Sequence, residues 1–304
     1  MKLLLLGFSS LAKRRIVPAL PGWEVTIATR RSSAVAEIAA LGATAIVGFD
    51  EALATKQALV YVATDNADHE LWVMAALRAG HHVVVDKPAV LTLAAAEAAV
   101  ALATKQGVCL AEATVWDRHP QVDAFVELAR DAYRRVHAAF IVPMFKPDNF
   151  RTKPERGGGA VLDLGPYAAS VIRRVFGEAP RSLSVVRHHT GPIDTSFTVL
   201  ADFGARGVFT GQFAFGGEYV NRISLNADGL NAEIDRVFTI PPQQPGKLTL
   251  REHNAWRDVE TAPCDSFARF MTEVADHIAK RSFAGYAADL LFDARVVAAL
   301  MEKP

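Results

Sequence analysis

The chain has 304 residues, 51% of them hydrophobic, which suffices for two domains with cores of their own and excludes a disordered chain. Lysine plus arginine equals aspartate plus glutamate, 33 each, so the charge balance gives no support to a nucleic-acid or anionic-membrane partner. Neither the two cysteines, Cys109 and Cys264, nor the nine histidines show metal-ligand spacing, so no metal is expected and a reducing, cytoplasmic setting is.

The opening MKLLLLGFSSLA superficially resembles a secretory signal. Its apolar run is short and meets Lys13-Arg14-Arg15, so it reads instead as a buried strand, Lys2–Leu6. No run approaches the length of a membrane span. Against G-x-G-x-x-G/A, the next residues keep the first glycine as Gly7 and the last small residue as Ala12, with Ser9 in the middle place. A short helix is expected from Leu11 to about Val17, where Pro18 ends or kinks it, and its first amides favour a phosphate. Gly7, Phe8, Ser9, Ser10, Leu11 and Ala12 are therefore the expected cradle of a cofactor diphosphate.

The next strand, Glu24–Thr29, ends where a carboxylate would bind the ribose of NAD. Here that place holds Thr29, Arg30, Arg31 and Ser32 instead, guanidinium and hydroxyl groups that suit a 2′-phosphate. The expectation is NADP(H) ahead of NAD(H); the plainer reading is a solvated loop with a helix-capping serine. Strand Ala43–Val47, helix Asp50–Ala54 and strand Ala58–Ala63 follow, the last leading into Thr64-Asp65-Asn66-Ala67-Asp68-His69 and a helix from about Asp68 to Ala79. Thr64, Asn66 and His69 are candidate cofactor contacts, although His69 serves equally well as a cap. Strand His82–Val85 then runs into Asp86-Lys87-Pro88. Parallel strands end where ligands bind, and Pro88 restricts Lys87 to an extended backbone, so Asp86 and Lys87 join the candidates. Helix Thr92–Lys105 and strand Val108–Ala113 complete six strands with intervening helices. That pattern predicts a Rossmann-type doubly wound parallel sheet over residues 1–115.

Beyond it, over 116–304, the pattern changes to an α+β domain. A loop with Arg118 and His119, candidate substrate contacts, precedes a helix, Gln121–Ala132. Strands Val136–Ile141, Ser182–His188, Thr195–Asp202, Gly207–Phe213, Arg222–Asn226 and Asn231–Phe238, joined by short polar turns, predict a large, mainly antiparallel sheet. A sheet open on one face suits a homo-oligomer, dimer or tetramer. Helices Cys264–Lys280 and about Tyr286–Glu302 close the chain. One segment stands apart: RGGGAVLDLGPY, where three glycines precede a helix on which Asp163 and Tyr167 share a face. Gly165 and Pro166 break the local helix rule, a frequent mark of a functional site. The carboxylate and phenol could bind and protonate a sugar-like oxygen; equally, Asp163 could be a first-turn acid and Tyr167 packing.

Taken in order, GFSSLAKRRIVPAL, VYVATDNADHE, HHVVVDKP, GGGAVLDLGPY and DRVFTIPP resemble the Gfo/Idh/MocA family, the glucose–fructose oxidoreductase and inositol dehydrogenase group. The DKP triplet is similar to that family's E-K-P, and Asp163 and Tyr167 fall on its D-x-x-x-H pair with tyrosine for histidine. FRTKPERGGGAVLDLGPYA is most similar to the nucleotide-sugar 3-ketoreductase and dihydrodiol dehydrogenase branch. Ser9, Asp65 and Asp86 depart from the family pattern. The resemblance implies an NAD(P)-dependent oxidoreductase acting on a sugar or sugar-derived carbonyl, with the nicotinamide facing a cleft between domains. Lys87 would stabilise the reacting oxygen, Tyr167 would move the proton and Asp163 would orient the substrate. A dihydrodiol or aldose dehydrogenase and a catalytically silent NADP-binding sensor are the alternatives.

Overall fold

A computed structural model of the chain describes residues 1–56, 59–130, 133–253 and 255–302. The expected ends of two elements, Ala58 and Ala132, lie outside the described residues. The chain forms two compact units: Met1–Ala113 with Phe267–Leu291, and Thr114–Ser266 with the residues from Phe292 on. The division expected at 115/116 gave both closing helices to the second domain; the structure groups the first of them, and the start of the second, with the first unit.

In the first unit, β1 (Lys2–Leu6), β2 (Glu24–Thr29), β3 (Thr44–Val47), β4 (Leu59–Val62), β5 (His82–Val85) and β6 (Leu110–Glu112) form an all-parallel sheet in the order β3-β2-β1-β4-β5-β6. Leu3–Leu6, Leu59–Val62 and Val83–Val85 are buried without alternation, as a parallel sheet covered on both faces requires. Helices α1 (Val35–Ala40), α2 (Phe49–Leu53), α3 (Asn66–Arg78) and α4 (Leu93–Gln106) make the crossovers. The strand order reverses at β1, and crevices at such a reversal are where doubly wound sheets take ligands. The helix expected over Leu11–Val17 differs. It is a π-helical turn, Ala12–Ile16, passing into a 3-10 turn, Val17–Ala19. Pro18 brings no N–H to the ladder, so the turn closes instead through the Val17 amide on the Ala12 carbonyl.

In the second unit, α5 (Pro120–Leu128) precedes β7 (Arg134–Val142), and α6 (Ala160–Phe176) precedes β8 (Ser182–Thr190), β9 (Ile193–Asp202), β10 (Gly207–Phe215), β11 (Val220–Ala227), β12 (Leu230–Asp235), β13 (Gly246–Glu252) and β14 (Ala255–Thr261). The eight strands run β14-β13-β12-β11-β7-β10-β9-β8, with β7 and β10 the one parallel pair. One sheet face packs on α6 around Phe140, Phe197, Phe213 and Leu225; on the other, Val186 and Leu200 are exposed. Two differences from expectation stand out. The strand placed at Asn231–Phe238 stops at Asp235, because Arg236 takes a left-handed φ of +61°. The last two strands were not expected at all: β14, AWRDVET, is a solvated edge with no apolar alternation to read. Helices α7 (Ser266–Ala279) and α8 (Ala284–Met301) end the chain. Among the described residues no helix is long and apolar enough to cross a membrane, and no group of three or more His, Cys, Asp or Glu could hold a metal.

Two histidines make the fold sensitive to acid. The Cys109 amide donates to Nδ1 of His82 at 2.9 Å, so that nitrogen must keep its lone pair. Burial, then the charges of Arg281 and His81, lower the His82 pKa. Burial, then Arg222, lowers that of His137 in the second unit. A lowered folded pKa means the unfolded chain binds the proton more readily. The stabilisation is full above the ordinary histidine value near pH 6.5 and is lost as pH falls through the folded value. Calorimetry is expected to show Tm falling as pH drops below about 6.5, with a shallower slope in His82→Asn, whose Oδ1 keeps an acceptor near Nδ1. An identical slope in wild type and variant would contradict this.

Candidate active site

The first unit brings three strand ends into one row. The amides of Ala63, Asp86 and Ala113 donate to Leu6, Val62 and Val85, so the ladder continues one residue beyond β4, β5 and β6. Gly7 sits at φ +106°, and a Cβ there would lie 2.5 Å from the Ala63 carbonyl oxygen. Only glycine allows β1 and β4 to emerge this close. Phe8 is buried under the Lys13 ammonium, 4.7 Å from its ring centre. Ser9 Oγ accepts from the Ala12 amide at 3.1 Å, so the serine in the middle glycine's place caps the following turn. Ser10 and Leu11 are exposed and Ala12 is buried. With its tight glycine and capped turn, this cradle fits a dinucleotide diphosphate.

The arginine loop divides its work. Arg30 donates to Asp68 Oδ2 at 3.0 Å, and its guanidinium lies 4.9 Å from the Phe49 ring centre and 5.7 Å from that of Trp72. The side chain stays 57% exposed, a flat cation fixed on one edge and open to a ligand. Arg31 instead reaches back to the Phe8 carbonyl at 3.0 Å, and its own amide donates to the hydroxyl of buried Thr29 at 3.1 Å. Ser32 is exposed and opens a 3-10 turn. The residues fit the adenosine end of a nicotinamide dinucleotide, with Arg30 the exposed cation that could meet a 2′-phosphate and Arg31 a tie to the Phe8 turn.

At the end of β5, Lys87 is half-buried and joined to Pro88 by a cis peptide bond. Tyr61 Oη donates to Asp86 Oδ1 at 2.6 Å, and Glu112 Oε2 accepts from the Ala89 amide at 2.8 Å. Asn66 and the wholly buried His69 lie in the first turn of α3. The His69 ring spans two carbonyls, Nδ1 at 2.8 Å from Pro88 and Nε2 at 3.1 Å from Thr64. It ties the Thr64 loop to the Lys87 turn. That places His69 as a strut rather than as the cofactor contact expected. Thr64 Oγ1 points at the Asp65 carbonyl, 3.4 Å away.

In the second unit, the three glycines prepare the start of α6. Gly158 passes so close to Arg151 that a Cβ would meet the Arg151 carbonyl at 2.6 Å, and Gly159, at φ +119°, leaves room for Asp194. Asp194 Oδ2 accepts the Val161 amide at 2.6 Å, capping the helix from β9. Asp163, in the first turn and buried, accepts from Arg151 Nε at 2.8 Å. Helix N-terminus and guanidinium both favour its negative charge. One turn on, Tyr167 packs edge-on against Phe140, ring centres 5.0 Å apart, and against Phe238 at the same distance. Pro166 stays within the helix, its carbonyl bonded by Ser170 Oγ, which in turn accepts from Trp116 Nε1.

The other two substrate candidates are placed differently from expectation. His119 is fully buried and caps α5, its Nδ1 accepting from the Gln121 amide, and a Cβ on Gly246 would meet its ring at 2.6 Å. Arg118 lies 3.6 Å from Asp117, a buried acid that Arg173 also approaches while making two bonds to Asp293. His119 is thus a framework residue, and Arg118 lies beside a buried carboxylate. Tyr61, Glu112 and Arg151 were absent from the expected set. Tyr61 and Glu112 read as strand residues, and Arg151 lies 12 positions from the carboxylate it pairs with, beyond any helical spacing.

Comparisons with known proteins bear on the family and the fold. A family model described as "Oxidoreductase family, NAD-binding Rossmann fold" matches residues 1–114, and the "GFO/IDH/MocA C-terminal domain" matches residues 132–231. The chain is 31% identical over 283 residues to the dTDP-3,4-didehydro-2,6-dideoxy-alpha-D-glucose 3-reductase of Streptomyces antibioticus, spanning 88% of this chain and 85% of that protein. It is 27% identical to D-xylose 1-dehydrogenase (NADP(+)) 2 of Haloferax volcanii, over 87% of this chain and 85% of that one. In structure it is similar to KijD10, a 3-ketoreductase from Actinomadura kijaniata in complex with NADP and TDP-benzene. The TM-score is 0.91 at 24% identity, covering 99% of this chain and 96% of that one.

The cap on α6 offers a direct check of the second unit. Asp194→Ala removes the acceptor of the Val161 amide at a buried helix start, a loss of about 1–2 kcal/mol. Chemical denaturation is expected to show that loss, and Gly159→Ala, which drives a Cβ into Asp194, an equal or larger one. Unchanged midpoints in both would contradict the capping role.

Proposed function

The chain is an oxidoreductase of the Gfo/Idh/MocA family, and on that premise we propose that it reduces the carbonyl of a nucleotide-linked keto-sugar with NADPH. The observation that carries the reading is the 31% identity, over 88% of the chain, to a dTDP-keto-sugar 3-reductase, together with a lysine fixed at the end of β5 and a carboxylate and phenol one turn apart on α6. When bound, the nicotinamide supplies the hydride. The chain supplies position and charge. Gly7 to Ala12 hold the diphosphate, with Thr64 and Asn66 beside it, and Arg30 meets the 2′-phosphate. Lys87 stabilises the negative charge that develops on the carbonyl oxygen. Tyr167 delivers the proton that turns this oxygen into a hydroxyl. Asp163, fixed by Arg151, accepts a hydrogen bond from a neighbouring sugar hydroxyl and orients the ring.

The reverse direction, oxidation of an aldose, uses the same groups with Tyr167 as proton acceptor, and the identity to a xylose dehydrogenase supports it as the second reading. We assign the open face of the eight-stranded sheet, with exposed Val186 and Leu200, to contact with a second copy of the chain.

Two measurements test the proposal. With a dTDP-linked 3-keto-sugar, Lys87→Ala and Tyr167→Phe are each expected to lower kcat by about 100-fold or more while NADPH still binds, and full turnover in either would overturn the assigned role. In fluorescence titrations, Arg30→Ala is expected to weaken NADPH binding at least about tenfold and to leave NADH binding nearly unchanged. An unaltered NADPH/NADH ratio would remove the case for the phosphorylated cofactor.

A further inference from the structure

Asp86 stands where the family's motif has a glutamate, and it is one methylene shorter. The structure shows what meets it. Tyr61, in β4, lies opposite Val84 of β5, and Asp86 follows Val84 by two residues on the same face, about 6.6 Å further along. A tyrosine is long enough to cover that distance, and its hydroxyl donates to Asp86 Oδ1 at 2.6 Å. Any large apolar side chain would fill this strand position. A hydroxyl buried there is costly without a partner, so its presence calls for a reason beyond packing. Burial, then the charge and hydrogen bond of Asp86, hold the Tyr61 pKa well above the ordinary value, which keeps the group a phenol and a permanent donor.

We infer that Tyr61 is a positioning residue for Lys87, acting through Asp86. Glu112 lies opposite Val85, so its side chain leaves the sheet on the other face, where it takes the Ala89 amide. His69 holds the Pro88 carbonyl from α3. The residues before and after Lys87 are thereby fixed from β4, from β6 and from α3. The Tyr61 bond acts on the side chain of the residue immediately before the lysine, whose amide is held by Val62. The short acid does not loosen the motif, because the phenol supplies the missing reach. Release of that bond removes one constraint on the Asp86 side chain beside Lys87, and small displacements at a reacting group cost rate rather than affinity.

The inference rests on the role proposed for Lys87, and the experiment separates the two. Tyr61→Phe, Asp86→Leu, the double variant and Lys87→Ala are assayed as full-length enzymes with NADPH and the dTDP-linked 3-keto-sugar. Tyr61→Phe is expected to lower kcat about tenfold with NADPH affinity and Tm close to wild type. The double variant is expected to be no slower than Asp86→Leu, since both changes cut one link. Wild-type kcat in Tyr61→Phe, or multiplied losses in the double variant, overturns the inference. Should Tyr61→Phe fold poorly, Asp86→Leu breaks the same bond from the other side, and wild-type kcat there overturns it equally. If Lys87→Ala is inactive while Tyr61→Phe is silent, the positioning role alone falls; if Lys87→Ala keeps full turnover, the reading of the lysine falls first.

Discussion

A lysine that is to meet a reacting oxygen must be held where its ammonium is useful, although its stem is flexible and its charge prefers water. The end of β5 meets that constraint through backbone. The amide of Asp86 continues the ladder to Val62, and carboxylates on the two sheet faces take a buried phenol and the Ala89 amide. Buried polar groups that satisfy one another in this way fix a single arrangement. The approach of β1 to β4 at Gly7 depends on the same row of strand ends, because a side chain at Gly7 would collide with the Ala63 carbonyl and separate them. The glycine turn after β1 and the lysine after β5 are thus set by one sheet, whose strands Leu3–Leu6 and Val83–Val85 are wholly buried.

The second unit solves a similar problem with a helix. A carboxylate in the first turn of α6 is favoured by the helix dipole, and Arg151 adds a fixed cation. Gly158 and Gly159 let Arg151 and Asp194 come in close, one to the carboxylate and one to the Val161 amide. Tyr167 is packed between aromatic rings, edge-on to Phe140 and tilted against Phe238. Pro166 leaves α6 unbroken, and its carbonyl is bonded by a serine one turn on.

The parallel sheet was legible because its strands are continuous apolar runs ending in Gly7, Thr64 and Asp86, where polarity changes abruptly. The segments holding Lys87, Asp163 and Tyr167 stood out in the sequence because a proline follows the lysine and another lies inside the helix of the carboxylate and phenol. What was not legible depends on contacts between distant residues. Tyr61 looks like any strand aromatic until β5 lies beside it. His69 and His119 carry chemistry that reads as binding, yet both are turned inward to tie or cap backbone. Edge strand β14 has no apolar period, because it meets water on nearly every residue.

The proposed reduction places a hydride on the carbonyl carbon of a nucleotide-linked keto-sugar. The most direct measurement is isotope transfer: the protein is incubated with NADPH tritiated at both hydrogens of nicotinamide C4 and a dTDP-linked 3-keto-sugar, and the sugar is isolated. The account predicts tritium bound to the carbon that carried the carbonyl, in step with NADPH oxidised. Unlabelled sugar, with the protein folded and NADPH bound, would contradict it.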